Sequence, residues 1–277
     1  MKAFKTEEGK TAVLTYYQML REQIRIPREE LTIPTVYGDT FILAAGDKKA
    51  PPLILLHGSS MNSAMWIRDI ETFSQHFRVY APDLPGEPGQ SSEEQLPFET
   101  MDYVYWLNDV FAALAIDQAN LAGISLGGWL AARFACHFPE KINKLALLCP
   151  AGIGGQNLAF KEIALTLLPK GEEGINELFR MINGDKPLPE VMLNYQKLIA
   201  AVFNSRMEVV PLLTDEQLRQ LAMPSLLIIG AKDIMLNSSE TAARYGQLLP
   251  DSQILILPDA GHSLTGLSGQ ITGFLLP

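Results

Sequence analysis

A serine set among small residues is the first place in this chain where covalent chemistry could occur. Gly123-Ile124-Ser125-Leu126-Gly127-Gly128 follows the apolar run 118–122 and opens into Trp129-Leu130-Ala131-Ala132-Arg133-Phe134-Ala135. A strand before and a helix after put Ser125 on a sharp turn. Glycines at 123 and 127 let strand and helix pass close together, and the first amides of the helix face the hydroxyl with the positive end of the helix dipole. A serine hydroxyl is a weak nucleophile at neutral pH. It needs a neutral imidazole to take its proton and a carboxylate to hold that imidazole in one tautomer.

Both partners occur downstream. Asp233 ends Gly230-Ala231-Lys232-Asp233, just past the apolar run 225–230, and His262 ends Asp259-Ala260-Gly261-His262, just past the run 253–257. If these runs are parallel strands, all three residues leave the carboxyl edge of one sheet, where open α/β folds bind their ligands. The chain has four histidines. His76 and His137 fall near helix ends and read as surface or capping residues. His57 ends an apolar strand before Gly58 and reads as a scaffold residue, which leaves His262 as the base. Among the acids, Asp83 precedes Ser125 and reads as the residue that orders the Gly86-Glu87-Pro88-Gly89 loop. Asp251 and Asp259 read as turn formers, and Asp233 is the expected acid. Attack on a carbonyl also requires donors for the oxyanion, each worth about 10²–10³ in turnover. The amide of Leu126 is one, and the loop His57-Gly58-Ser59-Ser60-Met61 should give the other, from Ser59 or alternatively Ser60.

Short apolar runs at 40–45, 53–57, 77–81, 118–122, 144–149, 225–230 and 253–257 alternate with helical patterns at about 11–23, 64–75, 98–115 and 125–138. Uninterrupted runs such as Leu53-Ile54-Leu55-Leu56 suit strands covered on both faces, hence an α/β fold with a mostly parallel central sheet flanked by helices. Thr214 with Gln217, and Asn237 with Glu240, fit capping boxes. The stretch between 149 and 225 is too long for one crossover helix. It carries helical segments near 157–168, 174–182 and 189–203, separated by Pro169, Gly171, Gly184, Pro187 and Pro189. It reads as an inserted helical cap over 152–213, with 1–151 and 214–277 forming the core domain. Phe160, Leu165, Leu168, Phe179, Met181, Met192, Leu193, Phe203 and Met207 are expected mostly to pack within that cap.

Composition narrows the partners. With 277 residues, 47% apolar residues and a formal charge of −9, the chain can fill a large core and lacks the basic balance that nucleic acid or an anionic membrane surface would select. No apolar run of about 18 residues exists to insert in a membrane. Cys136 and Cys149 have no metal-ligand spacing and read as buried free thiols. A cytoplasmic location is the expectation.

With those residues in place, the chain resembles the α/β-hydrolase superfamily: His57-Gly58 after the third strand, the serine turn at Ser125, then acid and histidine in the order Ser, Asp, His. More narrowly, Leu55-Leu56-His57-Gly58, Trp66, the segment from Asp83 to Ser91 and Gly123-Ile124-Ser125-Leu126-Gly127-Gly128-Trp129 resemble small capped bacterial carboxylesterases. Many relatives carry Asp-x-x-Gly-x-Gly-x-Ser after the fourth strand, whereas here Glu87-Pro88 lengthens that segment by one residue. The resemblance implies a serine hydrolase that cleaves carboxylic esters of small to medium, mainly apolar molecules through an acyl-enzyme, without metal or organic cofactor. Relatives with aspartate or cysteine at the turn, the dehalogenases, epoxide hydrolases and dienelactone hydrolases, are disfavoured by serine at 125. Thioester and carbon–carbon bond hydrolases share the serine and stay open, as does a ligand-binding member of the fold without turnover. The sequence leaves the oligomeric state open.

Overall fold

In the computed structural model, residues 3–186, 188–206 and 208–277 are described. Eight strands form one sheet: β1 (Arg28–Thr35), β2 (Gly38–Ala45), β3 (Pro52–Leu56), β4 (Arg78–Pro82), β5 (Ala119–Ile124), β6 (Ile142–Leu148), β7 (Ser225–Gly230) and β8 (Gln253–Leu257), in the spatial order β1-β2-β4-β3-β5-β6-β7-β8. The β1–β2 and β2–β4 pairs are antiparallel, and every pair from β4–β3 to β7–β8 is parallel. All of β5 and β7 is buried. Alternate side chains serve opposite faces: Ile54 and Leu56 join one apolar cluster, Leu53 and Leu55 the other.

The helices complete the layers. On one face lie α3 (Asp102–Ala113), α4 (Leu126–His137) and α9 (Ser238–Leu248), and on the other α1 (Glu7–Arg21), α2 (Ile67–Phe73) and α10 (Ser268–Leu275). The short α8 (Asp215–Leu218) starts with the expected capping box, Thr214 and Gln217 satisfying each other's backbone amides. At Asn237 the side chain accepts from the Glu240 amide. Two elements have no clear signal in the sequence. β1 is an edge strand whose residues alternate between half-buried and exposed, and it contains Arg28, Glu29, Glu30 and Pro34. It therefore lacks an apolar run and tolerates the proline. The weak pattern Ser268–Leu275 forms α10 by burying Ile271, Thr272 and Leu275.

Between β6 and β7 run α5 (Leu158–Leu167), α6 (Glu172–Ile182) and α7 (Glu190–Val202). The N-terminal segment packs on α7: Tyr16 stacks on Tyr195 at 5.1 Å, Phe4 meets Phe203 edge-on at 5.6 Å, and the Lys5 amide donates to the Val202 carbonyl at 2.9 Å. Phe203 is buried, but against Phe4 of the N-terminal segment rather than within the insertion. Leu165 of α5 and Leu168 just after it are exposed instead of packed, and no residue of α5 is buried. Pro187 and Met207 lie outside the described residues. No described helix is long and apolar enough to cross a membrane.

Candidate active site

Ser125 directly follows β5 and sits at φ 54°, ψ −115°, a conformation that costs an L-residue on the order of 1–3 kcal/mol. The surroundings hold it there. Its amide donates to the Leu148 carbonyl at 2.9 Å, and its carbonyl accepts from Trp129 and Ala151. A Cβ on Gly127 would stand 2.3 Å from the Leu56 carbonyl oxygen, and one on Gly123 would stand 2.2 Å from that of Gly127. Only glycine permits this crossing of strand and helix. The Leu126 amide opens α4, where it has no carbonyl one turn back to bond.

Asp233 and His262 leave the same sheet edge, after β7 and β8 respectively. The Asp233 Oδ2 to His262 Nδ1 distance is 2.7 Å, and the side chains are 1% and 9% exposed. The other oxygen, Oδ1, accepts from the amides of Met235 at 2.7 Å and Leu236 at 3.0 Å. Burial pushes the Asp233 carboxyl up, but His262 and these two amides outweigh it and hold the group below its ordinary value. It is a carboxylate, which can only accept, so Nδ1 carries the hydrogen and Nε2 keeps a free lone pair. That is the tautomer a general base needs.

The histidine loop rests on the insertion. The His262 amide donates to the Ile182 carbonyl at 2.8 Å, and Gly184, at φ 65°, comes so close that a Cβ there would lie 2.4 Å from the Gly261 nitrogen. Cys149 follows β6 in the same row. Its Sγ, a carboxylate oxygen of Asp233 and a ring nitrogen of His262 lie within 4.8 Å of one another, a set able to touch one cation. Burial first, then the Asp233 charge, pushes the thiol up. It stays protonated, which weakens it as ligand and nucleophile alike.

The loop after β3 passes beside Ser125, where a Cβ on Gly58 would touch the serine Cβ at 3.4 Å. His57 is the scaffold residue expected: Nδ1 donates to the Gly58 carbonyl and Nε2 accepts from the Leu84 amide, both at 2.8 Å. Burial pushes it down to about 4, which keeps the ring neutral. Asp83 orders its loop as expected, accepting from the amides of Ser63 and Gln90, each at 2.8 Å. The two candidate oxyanion donors differ. The Ser60 amide donates to Glu87 Oε2 at 2.6 Å, while among the described residues no acceptor takes the Ser59 amide. In the sequence Glu87 shows only as part of a loop lengthened by one residue; its hold on the Ser60 amide becomes visible in the fold.

A doubly covered parallel sheet with a serine on the strand-to-helix turn after β5, and an acid and histidine two and three strands further along, defines an α/β hydrolase. The comparisons agree. Residues 51–173 match the family described as alpha/beta hydrolase fold. The carboxylesterase YbfK of Bacillus subtilis (strain 168) is 30% identical over 266 residues, 91% of this chain and 88% of that protein. Among solved structures, the carboxylesterase CesB (YbfK) from Bacillus subtilis gives a TM-score of 0.86 at 28% identity, covering 97% of this chain and 98% of the other. Naproxen esterase from the same species gives 0.88 at 26%, covering 98% and 100%. The chain belongs to the α/β-hydrolase superfamily. It is a hydrolase, and these relatives, similar over nearly its full length, are carboxylesterases.

Proposed function

We propose that this hydrolase cleaves carboxylic esters of small to medium, mainly apolar molecules through an acyl-enzyme on Ser125. The observation that carries the reading is the buried His262–Asp233 pair on the sheet edge from which the strained Ser125 projects. Ser125 Oγ attacks the ester carbonyl as His262 Nε2 takes its proton, and the carbonyl electron pair moves to oxygen, held by the amides of Leu126 and Ser59. Collapse breaks the bond to the alcohol, which leaves with the proton from His262. A water molecule then gives a proton to the same nitrogen and attacks the acyl carbon, releasing the acid and restoring Ser125. Asp233 stabilises the imidazolium at both stages.

In this reading residues 152–213 form the cap that selects the acyl and alcohol groups, and 1–151 with 214–277 form the core. Contacts from the insertion to the loops around the site support it: Asn62 Nδ2 donates to Tyr195 Oη at 2.6 Å, and the His262 amide to Ile182. The buried free thiols Cys136 and Cys149 suit a reducing compartment, and we assign the enzyme to the cytoplasm. Ser125→Ala should lower p-nitrophenyl butyrate hydrolysis by roughly 10³-fold or more with an unchanged melting temperature. Short acyl esters should give higher kcat/KM than acyl-CoA or a vinylogous diketone. A Ser125→Ala protein that kept wild-type turnover would remove the nucleophile, and a preference for the diketone would make the enzyme a carbon–carbon bond hydrolase.

A further inference from the structure

We propose that Glu87 is the positioning residue of the oxyanion loop: by taking the Ser60 amide, its carboxyl leaves the Ser59 amide as the loop's open donor beside Ser125. This rests on the esterase reading and extends it to a side chain that touches neither substrate nor nucleophile.

Glu87 can act as a fixed post because its own loop is tied down. The Glu87 amide donates to the Leu84 carbonyl at 3.3 Å, the Gly86 amide to Ser92 at 2.8 Å, and the Gln90 amide to Asp83 Oδ2 at 2.8 Å. From this base the side chain, 3% exposed, reaches Ser60 at 2.6 Å. Ser60 sits at φ 54°, a left-handed conformation that L-residues avoid. An acceptor on its amide helps to hold it there. The loop is tied on its other side as well, Ser60 Oγ donating to Ser205 Oγ at 2.9 Å.

Charge sets a second condition. An ionised carboxylate next to a forming oxyanion would oppose it, more strongly in a dry interior than in water. Burial pushes Glu87 up to about 8, with the Ser60 amide and the Arg206 charge working against that rise. At neutral pH the group is therefore mostly protonated, and one oxygen still accepts from Ser60. The charged and titratable groups around it are Arg206, from the segment after α7, and the Tyr103 phenol of α3, with Glu208 reaching the pair through Arg206. Above about pH 8 Glu87 gains a charge that disfavours the tetrahedral intermediate.

The experiment measures kcat and KM for p-nitrophenyl butyrate between pH 6 and 10 in wild type, E87Q and E87A, with the affinity of a trifluoromethyl ketone that adds to the serine as an oxyanion. E87A should lose about 10- to 100-fold in kcat at nearly constant KM and bind the ketone more weakly by a similar factor. E87Q keeps an acceptor oxygen for Ser60 and should recover most of that loss, and the fall in kcat above pH 8 seen in wild type should be absent. Wild-type kcat in E87A, a loss confined to KM, or the same alkaline fall in E87Q as in wild type would each overturn the proposal. If E87A does not fold, the E87Q pH profile decides alone. Labelling by a fluorophosphonate separates the two levels. An E87A protein that turns over like wild type and labels, beside a silent Ser125→Ala, would sink the role of Glu87 and spare the esterase reading.

Discussion

Asp233 has its two oxygens divided between tasks, Oδ1 to the amides of Met235 and Leu236 and Oδ2 to the His262 ring. Asp233→Asn would keep the shape but present a donor to Nδ1, driving the ring to the tautomer whose Nε2 cannot take a proton. A loss of roughly 10³–10⁴ in kcat with little change in stability is expected, and a variant within tenfold of wild type would contradict the assigned tautomer. Glu87 makes a separate prediction about stability. Its raised value means that the native state holds the proton more tightly than the unfolded chain, whose carboxyl titrates near 4.5. The penalty therefore starts above about pH 4.5 and is complete above about 8. By linkage it reaches at most about 5 kcal/mol. Urea melts should show E87Q gaining on wild type across that window, and a constant difference would refute the burial account. The three residues proposed as the triad are legible in the sequence because each follows a strand, and strand order fixes the sheet edge. What separates Ser59 from Ser60 is not legible, since it depends on which amide meets a carboxyl 27 positions along the chain.

At the scale of elements, α6 and the histidine loop behave as one piece. Gly184 can approach Gly261 only without a side chain, and its φ of 65° independently favours glycine. Gly184→Ala should cost about 1–3 kcal/mol in stability and lower kcat as well, because the clash pushes on the backbone next to His262. Loss of stability with full turnover would show that the brace is dispensable. The central strands were readable because burial on both faces demands unbroken apolar runs, as in Leu53–Leu56. β1 was not readable because an edge strand needs only one apolar face, and its charged residues mask even that. α10 was hidden by its glycines and short length, and forms because the sheet presents an apolar face for it to cover.

Over the whole molecule the formal charge of −9 sets which esters meet the site. A negative field repels anionic substrates, and salt screens it within about 10 Å at 0.1 M. kcat/KM for mono-p-nitrophenyl succinate should therefore rise with ionic strength, while that for the neutral butyrate stays nearly flat. Parallel behaviour of the two would indicate that positive side chains at the entrance govern access instead.

The seam between α1 and α7 also constrains how the polypeptide is made. Phe4 and Tyr16 leave the ribosome well before their partners Phe203 and Tyr195, which emerge about 180–200 residues later. At about 5–20 residues per second this is a wait on the order of ten seconds or more. During that wait Phe4 and Tyr16 lack their final partners, although Tyr17 of the same helix can already meet Phe41, so nascent chains stalled before residue 195 should be the ones that most need a chaperone.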